Sequence, residues 1–86
     1  MGVTTVNSAA TSTALLATNA SRRKLMVENS DANRLHVRLA AGDATTAAYS
    51  FSLAQYENAE IEGYTGPVTG IWAADGAGAA HLTEIV

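Results

Sequence analysis

Residues 22–39 read RRKLMVENSDANRLHVRL, and the folding of this stretch decides the rest of the chain. Two runs of alternating apolar and polar residues flank a centre of turn formers, Asn29, Ser30, Asp31, Ala32 and Asn33, which is the pattern of a β-hairpin. On the way in, Leu25 and Val27 alternate with Lys24, Met26 and Glu28; on the way out, Leu35, Val37 and Leu39 alternate with Arg34, His36 and Arg38. With the turn residues as the loop, Val27 is expected opposite Leu35 and Leu25 opposite Val37 on a core face. Glu28 then meets Arg34, and Met26 meets His36, on a charged face.

Every lysine and arginine lies in or beside this hairpin: Arg22, Arg23, Lys24, Arg34 and Arg38. From Ala40 onward there is no basic residue, while Asp43, Glu57, Glu60, Glu62, Asp75 and Glu84 are acidic. As a solvated sheet face, the basic cluster contributes little beyond a Glu28–Arg34 pair worth about 0.2–1 kcal/mol. As a functional surface, it docks on acid, either the acid-rich half of a second copy or a larger scaffold. His36 belongs to the same face, and Met26, Tyr64 and Trp72 are the apolar anchors from which binding energy would come. The net charge of −3 argues against nucleic acid as the main partner.

Outward from the hairpin, residues 1–12 are rich in Thr, Ser, Ala and Asn and read as a loosely held N-terminal arm, with a short strand near Val3 to Asn7. A strand at Ala14 to Thr18 opens a single domain over 13–86, and Asn19-Ala20-Ser21 turns into the basic segment. After an Ala41-Gly42-Asp43 turn, alternation resumes at Tyr49, Phe51 and Leu53, with the aromatics expected inward. Further strands follow at Ala59 to Glu62, with Glu60 and Glu62 sharing a face, at Val68 to Ala74, and at Ala80 to Ile85. Turns at 63–67 and 75–78 separate them. Seven to eight short strands at this spacing predict an all-β fold, a small antiparallel sandwich or barrel.

At 86 residues the core is thin, because the 48% apolar content is diluted by roughly a fifth alanine, and a methyl group contributes only about 0.8 kcal/mol. Without cysteine there is no disulfide, and two histidines alone do not make a structural zinc site, so no cofactor or metal is expected and homo-oligomerisation is the remaining source of stability. The start of the chain has neither a basic n-region nor an apolar h-region, so no secretory leader is expected. No stretch is long enough to span a membrane, and synthesis in a reducing cytoplasm fits the lack of cysteine.

Residues with chemical potential are scattered. His36 sits between two arginines in mid-strand, and His81 opens the last strand, neither with an evident partner. Glu60 and Glu62 form a carboxylate pair of the kind glycosidases use, but on an exposed strand face. Gly76 and Gly78 fall where a hairpin loop is expected and not between a strand and a helix. Trp72 with Tyr56 and Tyr64 would make a sugar-stacking platform.

Leu15-Leu16-Ala17-Thr18-Asn19-Ala20-Ser21-Arg22 and the strand that follows, through Asn29, resemble the opening of small virion proteins of tailed bacteriophages. Gly66-Pro67-Val68-Thr69-Gly70-Ile71 and the closing Leu82-Thr83-Glu84 are similar to later segments of those proteins, whereas the alanine-rich N-terminal segment departs from their tighter start. The resemblance implies a non-enzymatic β-sandwich on the capsid surface, a decoration or cement protein acting as a homotrimer with the major capsid protein as partner. It carries no site residues over. A carbohydrate- or receptor-binding module of a phage tail or head fibre is the alternative, and a hydrolase using His36, His81 and Glu60 comes third.

Overall fold

Alternation along the chain gives eight β-strands among the residues described, 2–40 and 42–86 of a computed structural model. They are β1 (Gly2–Asn7), β2 (Thr13–Leu16), β3 (Lys24–Asn29), β4 (Leu35–Arg38), β5 (Phe51–Leu53), β6 (Asn58–Glu62), β7 (Val68–Trp72) and β8 (Ala79–Ile85). Two four-stranded sheets face each other, the first in the order β1-β8-β3-β6 and the second in the order β2-β7-β4-β5, with every pairing antiparallel. This is the expected small β-sandwich. Met1, at the head of the expected arm, and Ala41, in the expected turn before Asp43, lie outside the described residues.

The segment expected to be a hairpin is instead an arch between the sheets. β3 pairs with β6 and β8, β4 pairs with β5 and β7, and the two strands share no hydrogen bonds. Met26 therefore lies beside Glu60 and Thr83 rather than His36, and His36 lies beside Ser52 and Ile71. Leu25, Val27, Leu35 and Val37 are all fully buried, as the alternation requires, but they meet across the sandwich.

Polar groups inside the bend hold the arch. Asn29 is fully buried; its Nδ2 donates to the carbonyls of Asn33 (2.9 Å) and Leu53 (3.1 Å), and its Oδ1 accepts from Asp31 N (3.0 Å) and from the Trp72 indole (3.1 Å). Asp31, also buried, accepts from the Asn33 backbone N–H at 2.7 Å and from Gly78 N–H at 2.9 Å. Buried polar groups satisfied in this way fix one path for the chain between layers.

Leu15, Leu16, Leu25, Val27, Leu35, Val37, Leu53, Val68, Trp72, Ala80 and Leu82 fill the space between the sheets. Room is tight at Gly70 of β7, where a Cβ would come within 2.8 Å of Leu15 Cδ1 and 3.0 Å of Leu35 Cδ1. Residues 2–7 are no loose arm: β1 pairs with β8 from Gly2↔Glu84 to Asn7↔Ala79. β2 ends at Leu16, short of the expected Thr18.

Candidate docking surface

The basic residues do not form one patch. Arg22 is only 2% exposed, so it is withdrawn from the docking surface. Its Nε donates to Glu84 Oε2 at 2.9 Å, its Nη1 to the carbonyls of Gly66 (3.0 Å) and Tyr64 (3.3 Å), and its Nη2 to the carbonyl of Ala17 at 2.8 Å. The guanidinium thus ties β8 to the β2–β3 and β6–β7 connections. Burial pushes the Glu84 carboxyl up, but hydrogen bonds from Arg22 and Asn19, with the Arg22 charge, outweigh it and hold the group below its ordinary value. Arg23, next in sequence, is exposed and donates to the Val86 carbonyl at 3.0 Å.

Because β3 and β4 belong to different layers, their polar faces point to opposite sides of the molecule. On the outside of the first sheet, Lys24, Met26 and Glu28 of β3 lie beside Glu60 and Glu62 of β6 and His81 and Thr83 of β8. One lysine among three carboxylates leaves this face acidic. Lys24 Nζ is 2.8 Å from Glu60 Oε2, and the hydrogen bond and charge of Glu60 raise the ammonium above its ordinary pKa. Met26 borders a shallow hollow of about 270 Å³ with Val27, Glu28, Asn58, His81 and Thr83.

The outside of the second sheet carries the opposite sign. β2, β4, β5 and β7 contain no carboxylate, whereas Arg34, His36 and Arg38 emerge from β4 or the residue before it. Arg34 Nε donates to Ser52 Oγ at 2.9 Å, and Arg38 Nη1 donates to the Asp43 carbonyl at 2.8 Å, so both guanidiniums are held in place with donors to spare. His36 lies between Ser52 and Ile71, and its ring meets that of Tyr49 edge to face at 4.7 Å between centroids. Its Nδ1 is buried without a hydrogen-bond partner among the described residues.

Two members of this face were not singled out from the sequence. Tyr49 precedes β5, is 44% exposed and folds over His36, whereas alternation with Phe51 and Leu53 had placed it in the core. Ile71 faces outward because Val68, Gly70 and Trp72 of β7 face inward, and that period of two was legible.

The remaining candidates are structural. Trp72 is 1% exposed, with its indole bonded to Asn29, so it is neither a docking anchor nor part of a sugar platform. Tyr64 is half-buried and its hydroxyl donates to the Pro67 carbonyl at 2.6 Å. His81 Nε2 lies 3.1 Å from Ser30 Oγ, a contact that would interest a hydrolase, but that hydroxyl already donates to the Ala79 carbonyl and accepts from Ala79 N–H. The pair pins the end of β3 to β8. No family model, curated protein or solved structure matches this chain.

Proposed function

We propose that this chain is a non-enzymatic structural protein of a virion, a decoration or cement protein that docks on the assembled capsid through the outer face of its second sheet. The observation that supports docking is the separation of charge: Arg34, His36 and Arg38 stand on one face without a strand carboxylate, while Glu28, Glu60 and Glu62 stand on the other. Arginine with Tyr49 and Ile71 beside it is the composition of a protein-binding patch, in which charge orients the partner and apolar area holds it. Binding only the assembled shell stabilises that state by mass action. The virion setting rests on the resemblance of the segments around Leu15 and Gly66.

Co-sedimentation with purified capsids at low and high salt tests the reading. The parent protein is expected to pellet with shells at low salt and to be released as salt rises, since exposed charges are screened. Replacing Arg34 and Arg38 by glutamate should abolish pelleting while leaving the circular dichroism and melting unchanged. A protein that stays in the supernatant at low salt, or a double variant that pellets as well as the parent, overturns it.

A further inference from the structure

A sandwich of two open sheets has four edges, and three of them are guarded against further pairing. β6 carries Glu60 and Glu62, β5 is three residues long, and β2 has four residues with a register shift between Ala14 and Leu16. β1 has no such protection. It runs GVTTVN over six residues without charge or proline, among the described residues it pairs only with β8, and Val3 is 72% exposed. The N–H of Ser8 reaches Gly78 O at 3.0 Å, in step with the β1–β8 register. Since successive residues of a strand turn their backbone groups to opposite sides, Val3, Thr5 and Asn7 present N–H and C=O to the open edge.

We propose that β1 is a self-association strand that pairs antiparallel with β1 of a second copy, joining two first sheets into one continuous sheet across a two-fold axis. Opposed residues of an antiparallel pair share a face, so the axis passes through Thr5. Thr5 then meets its own copy, and Val3 meets Asn7 of the second copy with both open-edge backbone groups engaged. A second copy is the occupant because β1 opposes no like charges when it meets itself. Its own β6 would set Glu60 and Glu62 against an uncharged strand, and β2 and β5 are too short to match six residues. The capsid-docking face lies on the other sheet, so the two proposals fail separately. The pairing also gives a two-fold, not the three-fold assembly that the resemblance implies.

Sedimentation velocity and light scattering on the intact chain test it. The expected mass is twice 8.9 kDa, with dissociation on dilution. Thr5→Pro removes a donor that faces the open edge and leaves the β8 ladder intact; Thr5→Lys sets two ammonium groups against each other at the axis. Both should remain folded and monomeric where the parent is dimeric, and the N–H of Val3 and Asn7 should gain exchange protection in the concentrated parent. If Thr5→Pro does not fold, Thr5→Lys decides. A parent that is monomeric up to millimolar concentration, a mass of three chains, or a folded Thr5→Lys that still dimerises overturns the proposal.

Discussion

Arg22 and Arg23 are neighbours with opposite fates, and the difference lies in what each can reach. The Arg22 guanidinium is a planar fork with five donors, and around it stand three carbonyls and one carboxylate in position to accept. Removing it leaves Glu84 with a side chain 18% exposed and no cation, and leaves the carbonyls of Ala17, Tyr64 and Gly66 without that donor. Loss of one partner of a buried pair costs about 3–5 kcal/mol. Arg22→Ala should therefore lower unfolding free energy by about 3 kcal/mol, read by urea titration of Trp72 fluorescence, and Arg22→Lys should recover only part, because a point charge cannot serve diverging acceptors. A change below about 0.5 kcal/mol, the size expected of an ordinary surface site, would contradict the clasp. In a linear sequence nothing separates the two arginines. Burial of the first depends on Tyr64, Gly66 and Glu84 arriving from more than forty residues away.

At the scale of elements, the arch between β3 and β4 is closed from above by the β7–β8 loop. A Cβ on Gly78 would lie 2.5 Å from the Cα of Asp31 and 2.7 Å from its backbone nitrogen, atoms that cannot swing aside. Gly78→Ala must push the loop off the Asp31 carboxylate and break the 2.9 Å bond to it. Overpacking of this kind costs about 1–3 kcal/mol, which for a domain this small is about 4–8 °C of melting temperature per kcal/mol. Gly2→Ala, where a Cβ meets nothing within 4 Å, is the control and should melt like the parent. Here the limit of sequence reading has a physical cause. Alternation of Leu25 and Val27 with Lys24, Met26 and Glu28 states which side of a strand is buried, and every such statement about β3 and β4 holds in the fold. It does not state which backbone supplies the hydrogen bonds, and a turn rich in Asn and Asp serves a hairpin or an arch equally well. The consequence for the candidate site was large. Charge segregation along the chain was legible, but a hairpin would have merged Lys24 and Met26 with Arg34, His36 and Arg38, whereas the arch sends them to opposite faces.

For the whole molecule, the chain changes sheets at every connection except β4 to β5, so stability rests on contacts between distant segments. Two carboxylates sit at such junctions, one at each end of the sandwich core. Asp31 is held below its ordinary pKa chiefly by the Asn33 backbone N–H, against the upward push of burial, with Ser8, Gly78 and the Asn33 side chain adding to it. Glu84 is depressed as well, through Arg22 and Asn19. In both cases the unfolded chain binds its proton first as pH falls, so the stabilisation is complete above the ordinary carboxyl values of about 4 and is lost as pH drops through the lower folded values. Lys24 has the opposite sense: raised by Glu60, it stabilises below the ordinary lysine value and ceases to do so as pH rises through the folded one, but its partly exposed position and solvent-exposed partner keep the effect small. Melting temperature should accordingly be flat from about pH 5 to 9 and fall steeply below about pH 4. Asp31→Asn isolates one share of that fall. The variant should be less stable than the parent near neutrality, by about 1–3 kcal/mol for a buried acceptor set against donors, and the gap should close as acid titrates the parent's carboxylate. Parallel curves for variant and parent down to pH 2 would mean that Asp31 has the same pKa in the folded and unfolded chain, and would overturn the hydrogen-bond account of the arch.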